Sequence, residues 1–397
     1  MNEFLGPSSA DLSAVMPTGG PRSEWRGPRS GTGLALSGGG FRAALFGLGS
    51  LWRLNELGWL QSLRRITSVS GGSLTAGVLA ARWNELAFDS TGRATNFEEM
   101  VSVRLRQFCS RTLDRKAILS GLIPFVSAAG TARRAYERDL VRLADGHIAR
   151  LSDLPAAGTG PDFVFFATCF QTGSSFRFSR EGLYDWKLGR CPDVSSTLGT
   201  ALAASAAFPP FLSPLLLSTD PARWVDGPHV KGFTNAARIC AQLRLGDGGI
   251  YDNMGTEGLW KSMERVLISD AGAPFAFIPR PWMDWPSQLG RTRDILIDQT
   301  RALRKRMLVR ELESGRYSGA YWGIHTSIGD YTASPLLCKD SDTTQGLARI
   351  GTRLRALDAS VQEQLINWGY ALADAAIRSY VDPSIPLGRF PYPKHAI

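Results

Sequence analysis

The sequence predicts an α/β fold with a mostly parallel central sheet, and two successive strand-to-helix units near the start of the chain are the observations that predict it. Thr32–Leu36 is a short apolar run, Ser37-Gly-Gly-Gly40 a tight loop, and Phe41–Leu57 a helical pattern that Gly58 ends. Residues 65–69, Arg-Ile-Thr-Ser-Val, form a second β-branched run that turns at Ser70 into the helical pattern Leu74–Leu86. Strand, loop, helix, strand, turn, helix implies parallel strands joined by helical crossovers.

Further along, residues 96–150 read as mostly helical and charged. Asp162–Cys169 is a dense β-branched and aromatic run, and Gln171-Thr-Gly leads into a hairpin partner at Ser175–Ser179. A small-residue helix follows at Ser196–Ala206, then the turn Phe208-Pro-Pro-Phe211, then a strand-like segment from Leu243 to Gly249. No repeat or linker interrupts residues 32–385, so they are expected to form one domain, with 1–31 an irregular Pro, Gly and Ser-rich arm and 386–397 a tail.

Composition narrows the class. The chain has 397 residues, 44% hydrophobic and 20% charged, which suits a globular protein with a large core. Its net charge of +9 favours acidic partners, either nucleic acid or anionic lipid surfaces. Five scattered cysteines without C-x-x-C spacing suggest neither a metal site nor a disulfide framework, and no cofactor is implied. A reducing, cytoplasmic setting is the expectation, and no signal peptide is read in the N-terminal arm. Residues 33–52 carry Arg42 as their sole charge; that arginine and three glycines argue for a buried strand and helix and against a membrane span.

Two features carry chemistry. Residues 65–73 end in Ser68-Val-Ser70-Gly-Gly-Ser73, a nucleophile elbow whose small neighbours let Ser70 stand above the sheet. Gly38, Gly39 and Gly40 open a helix and present backbone N–H groups to negative charge, either a phosphate or an oxyanion. Gly38, Gly40 and Ala43 also fit the dinucleotide fingerprint, but the next strand ends without the acidic residue that fold needs, and no Walker Lys-Ser/Thr pair is present. The oxyanion reading is preferred, since a serine elbow lies one β-α unit later. For the base, the chain has four histidines, of which His325 is the one suited to a late triad position. Carboxylates before glycines offer the alternative: Asp247-Gly-Gly249 and Asp226-Gly227, with Asp252 nearby.

Taken together and in this order, Ser37-Gly-Gly-Gly-Phe-Arg-Ala43, the Ser70 elbow, Ala206-Ala-Phe-Pro-Pro-Phe211 and Asp247-Gly-Gly-Ile-Tyr-Asp-Asn253 resemble the patatin-like lipid acyl hydrolases, whose plan cytosolic phospholipase A2 catalytic domains share. The resemblance runs from about residue 32 to residue 335. It implies a three-layer α/β/α patatin-like fold and a Ser-Asp dyad without histidine: Ser70 as nucleophile, Asp247 as base, and Gly38, Gly39 and Gly40 as the oxyanion hole. Arg42 would support the loop or meet an anionic head group. Ser37 replaces the Asp usual in plant patatins, and Ser68 the first glycine of the elbow.

A lipid acyl hydrolase of phospholipase A or lysophospholipase type is therefore expected, with a phospholipid or lysophospholipid substrate and transient, peripheral contact with anionic membrane. Phe208 and Phe211, with Leu212 and Leu215–Leu217, are candidates for an apolar rim at the site. The basic run 301–310 reads as a solvated helix face that adds electrostatic attraction to lipid. The competing classes are a Ser-His-Asp esterase using His325 and a non-catalytic nucleotide or anionic-surface binder; no nucleic-acid motif is present.

Overall fold

The computed structural model describes residues 30–113, 127–225, 227, 235–260, 262–395 and 397. Ten strands form one sheet: β1 (Thr32–Leu36), β2 (Leu63–Val69), β3 (Asp162–Cys169), β4 (Ser174–Ser179), β5 (Gly182–Asp185), β6 (Gly189–Cys191), β7 (Leu215–Ser218), β8 (Gln242–Asp247), β9 (Arg265–Asp270) and β10 (Ser318–Gly323). Its centre, in the order β10-β9-β1-β2-β3, is parallel throughout, as the strand-helix-strand pattern requires. β4, β5 and β6 continue from β3 as an antiparallel meander, and β7 pairs with β8.

Alternation along the central strands divides the apolar side chains between two faces. Leu34 and Leu36 of β1 and Leu267 of β9 join the larger core with helices Gly40–Glu56, Gly71–Arg82 and Ala359–Tyr380. Ala35, Val266 and Ile268 point to the opposite side, where Leu308 of the long helix Trp285–Glu313 and Leu259 and Met263 cover them. The direction of travel explains the sides: β1 to β2 to β3 moves one way across the sheet and β9 to β10 the other, so right-handed crossovers place their helices on opposite faces. The result is three layers, helix, sheet, helix.

Gly40–Glu56 and Ala359–Tyr380 cross unusually closely. A Cβ on Gly49 would lie 1.9 Å from the Ile366 carbonyl oxygen, and one on Gly369 would lie 2.0 Å from that of Phe46. The segment after residue 385 returns to this layer, where Tyr392 packs edge-on to Trp52 with centroids 5.7 Å apart. The stretch 96–150 is less helical than its composition suggests. Val103–Cys109 and Ala128–Asp139 are helices, Arg142 bridges Ile148, and residues 114–126 lie outside the described residues. The N-terminal arm to residue 29 lies outside them too.

Pairing along β3 positions the site. One edge of β3 holds β4; the other is shared end to end by β2, over Asp162–Phe166, and β8, over Ala167–Cys169. Val69 is opposite Phe166 and Asp247 opposite Ala167, so the residue that follows Val69 meets Asp247 head to head. That residue is Ser70.

Candidate active site

Ser70 has φ 50° and ψ −117° and is the one non-glycine residue with positive φ among the described residues. Such a conformation costs on the order of 1–3 kcal/mol and needs bracing from its surroundings. The glycines after it allow the turn: a Cβ on Gly71 would sit 2.0 Å from the Gly40 carbonyl oxygen, and one on Gly72 2.4 Å from that of Leu36. The Gly72 N–H donates to the Ser37 carbonyl at 3.1 Å, tying the elbow to the glycine loop. The Ser70 N–H donates to Ser205 Oγ at 2.9 Å, and Ser73 Oγ lies 3.0 Å from Ser68 Oγ and 2.8 Å from Ser205 Oγ. Ser68 is thus more than a small substitute for glycine, because its hydroxyl joins a buried cluster under the turn.

The glycine loop lies against this elbow. A Cβ on Gly38 would stand 3.1 Å from that of Ser70. The Gly38 N–H, however, donates to the Asn253 carbonyl at 2.9 Å, whereas the N–H groups of Gly39, Gly40 and Gly71 have no partner among the described residues. Gly39 and Gly40 adopt φ 149° and φ 62°, backbone that side chains rarely take. Ser37 Oγ accepts the Ala271 N–H at 2.7 Å, joining the ends of β1 and β9. Sequence reasoning named Gly38 to Gly40 alike; Gly71 follows from the elbow itself, being the residue after the nucleophile.

Asp247 ends β8 and is 3% exposed. Burial pushes its carboxyl up to about 7, against the opposing hydrogen bonds from the Gly249 N–H and the Ser70 side chain. The Gly249 bond is 2.7 Å long. Asp247 N–H donates to the Ala207 carbonyl at 2.9 Å and Gly248 N–H to the Ser205 carbonyl at 3.2 Å. Ser205 therefore touches both halves, its hydroxyl on Ser70 and its carbonyl beside Asp247. No pattern in the sequence marked it, since it lies in a run of alanines. A strained serine, a buried carboxylate of raised pKa beside it, and N–H groups with no partner among the described residues make an arrangement able to add an alkoxide to a carbonyl and hold the resulting negative charge.

A model of the patatin-like phospholipase family matches residues 34–260, a span that includes Gly38–Gly40, Ser70 and Asp247. The chain belongs to that family. Among solved structures, human GIVD cytosolic phospholipase A2 in complex with methyl γ-linolenyl fluorophosphonate inhibitor and terbium chloride is 12% identical with a TM-score of 0.47, covering 87% of this chain and 57% of that one. VipD from Legionella pneumophila is 16% identical with a TM-score of 0.32, covering 87% of this chain and 66% of that one. The chain thus spans less than two thirds of the length of either. No individual curated protein matches it.

Around this centre, the other residues expected at the site of this patatin-like protein divide. Arg42 is fully buried: Nε and Nη2 donate to the Ala271 carbonyl at 3.1 and 2.9 Å, Nη2 to Thr352 Oγ1 at 3.1 Å, and Nη1 to the Ile350 carbonyl. Burial, with Arg301 nearby, lowers its pKa to about 10. Its guanidinium ties the loop to residues 271 and 350–352 and is not open to a head group. Asp252 is also a structural carboxylate, accepting from the Met254 and Glu257 N–H groups at 3.1 and 2.9 Å and from Thr256 Oγ1 at 3.0 Å. Asp226 lies outside the described residues. His325 makes no hydrogen bond to Ser70 or Asp247 among the described residues; partial burial and then Arg301 hold its imidazole down to about 4.

Phe208 follows directly on Ala207, the residue bonded to Asp247, and Phe211 comes three residues later. Phe208 is half-buried beneath the Arg293 guanidinium, 5.1 Å from its ring, and Phe211 is 64% exposed. The basic run 301–310 is not simply a solvated face. Arg301 is buried on Asp270 at 3.0 Å, and Arg304 bonds Glu257 at 2.9 Å with Asp252 3.8 Å away. Among the described residues no helix is long and apolar enough to cross a membrane, and no group of His, Cys, Asp and Glu is arranged to hold a metal ion.

Proposed function

We propose that this patatin-like protein cleaves carboxylic esters of membrane lipids, as a phospholipase A or lysophospholipase, through a Ser70-Asp247 dyad and an acyl-enzyme. The observation that carries this reading is the strained Ser70 held beside a buried carboxylate whose pKa has risen to about 7. Near neutral pH such a carboxylate is divided between a form that accepts a proton and one that donates it, as both halves of the reaction require.

In the first half, Ser70 Oγ attacks the ester carbonyl carbon while its proton passes to Asp247. The carbonyl oxygen becomes an oxyanion and accepts hydrogen bonds from the N–H groups of Gly39, Gly40 and Gly71, each worth roughly 3–4 kcal/mol in the transition state. Gly38 walls the site from its Asn253 tether. Collapse breaks the bond to the alcohol, which leaves with the proton from Asp247, and the acyl group stays on Ser70. In the second half, water loses a proton to Asp247 and attacks the acyl carbonyl, and Ser70 leaves with that proton as the fatty acid is released. Arg42 acts through the loop, holding Gly39 and Gly40 in place.

Steady-state kinetics on phospholipid and on a soluble short-chain ester test the reading. Ser70→Ala and Asp247→Asn are each expected to lower kcat by at least about a thousandfold on both substrates. A Ser70→Ala protein with wild-type turnover would end it.

A further inference from the structure

The part of the surface least explained by folding is the segment 273–285 and the outer side of the helix Trp285–Glu313. Phe277, Trp282, Met283 and Trp285 are each more than three-quarters exposed, and Phe277 is 93% so. Along the helix, Trp285, Leu289, Leu296, Leu303 and Met307 are all exposed and recur at spacings of four and seven, so they form one stripe. Arg301 and Leu308, which face the core, lie about a third of a turn round from that stripe at roughly 100° per residue. The helix therefore packs one side on the sheet through Leu308 and leaves a second, apolar stripe exposed among the described residues.

This surface is held in register with the candidate site. Arg301 on Asp270 and Arg304 on Glu257 fix the helix to the strand end and loop beside the glycine loop and Asp247. Arg293 Nη1 donates to the Pro209 carbonyl at 3.1 Å, two residues beyond Ala207. Arg291 lies 4.0 Å over the Phe275 ring and donates to the Ala276 carbonyl at 2.9 Å, pinning the leading segment to the helix start. Phe211 adjoins through the same turn. The charge identifies the occupant: apart from Arg301, buried on Asp270, and Arg304, paired with Glu257, residues 273–310 hold six Arg and Lys against three Asp. Two copies of so basic a face would repel, whereas anionic lipid head groups would neutralise it while the tryptophans and phenylalanine enter the boundary between head groups and acyl chains.

We infer that this Trp- and Phe-rich, arginine-flanked surface is the docking face for an anionic lipid bilayer and sets the mouth of the site against the membrane. The inference rests on the proposed lipid substrate for the choice of partner, but its test does not need hydrolysis. The full-length Ser70→Ala protein would be sedimented with vesicles of equimolar phosphatidylcholine and phosphatidylglycerol, and with phosphatidylcholine alone. Binding to the mixed vesicles is expected to exceed that to phosphatidylcholine alone, to weaken with salt, and to fall roughly tenfold or more on adding Trp282→Ala and Trp285→Ala. Because both side chains are exposed, the double substitution is expected to leave the melting temperature in place. If it does not, tryptophan quenching of the Ser70→Ala parent by brominated phosphatidylcholine within the mixed vesicles decides instead, with quenching expected. Unchanged partitioning of a folded double variant, absent quenching, or a self-association lost in the double variant with no vesicle binding by the parent would each overturn the inference. Should the Ser70→Ala protein bind as described while the wild type hydrolyses no lipid ester, the docking face stands and the proposed activity falls.

Discussion

Replacing Asp247 by Asn separates the cost of burying this carboxylate from its use. The amide keeps the shape and an oxygen that can accept the Gly249 N–H, now 2.7 Å from Oδ1. It removes the titration. In the folded protein the carboxyl has risen from an ordinary 3.8 to about 7, chiefly by burial, so the folded state holds this proton more tightly than the unfolded chain. Its stabilising contribution is complete below pH 3.8 and is lost as pH climbs through about 7. At about 1.4 kcal/mol per pH unit the whole effect is about 4 kcal/mol, of which about 3 kcal/mol disappears between about pH 5 and about pH 8.5. Urea unfolding of both proteins across that range measures it. The wild-type stability is expected to fall with pH relative to Asp247→Asn by about that amount, with the variant the more stable at the alkaline end. In the wild type, kcat/KM is expected to rise with pH through about 7, as Asp247 becomes able to accept a proton. A difference between the two stabilities that does not change with pH would refute the buried, titrating carboxylate on which the proposed dyad depends.

Gly49→Ala is expected to lower the melting temperature by several degrees, a cost of about 1–3 kcal/mol, because its Cβ would meet the Ile366 carbonyl at 1.9 Å; a scanning-fluorimetry trace that superimposes on wild type would contradict the helix crossing. Ser205→Ala deprives the Ser70 N–H of its acceptor, 2.9 Å away, and is expected to cost about 1–3 kcal/mol of stability together with part of kcat, read by denaturation and ester turnover on the same sample. His325→Ala is expected to keep kcat within about threefold, and a loss of several orders of magnitude at an unchanged melting temperature would move the chemistry to a histidine-dependent triad.

What could be read in the sequence was whatever local chemistry dictates. β1 and β3 fall where their apolar runs do, and the helices after Gly39 and Ser70 start where small residues permit the turn. The choice among Asp226, Asp247 and Asp252 was different, since each is an acid in a turn-forming setting. What sets Asp247 beside Ser70 is the end-to-end sharing of β3 by β2 and β8, a long-range register that no local pattern encodes. Gly38 and Gly39 look alike in sequence, yet only the contact with Asn253, far along the chain, uses the N–H of Gly38. The basic run 301–310 read as solvated because the acids that meet Arg301 and Arg304, Asp270 and Glu257, precede them by 31 and 47 residues. The Trp and Phe segment before the helix gave no periodic signal, broken as it is by Pro274, Pro279 and Pro281. Its significance comes from exposure, which only the folded chain reveals.

The most direct test of the central claim is the identity of the atom that carries the acyl group. The protein would be mixed with an activated fatty-acyl ester, quenched in acid during turnover and digested, and the peptides examined by mass spectrometry. The account predicts an acyl mass on the peptide containing Ser70, bound through that side chain, accumulating before the steady state and absent from Ser70→Ala. Turnover accompanied by an acyl group on a different residue, or by no covalent species at any quench time, would contradict it.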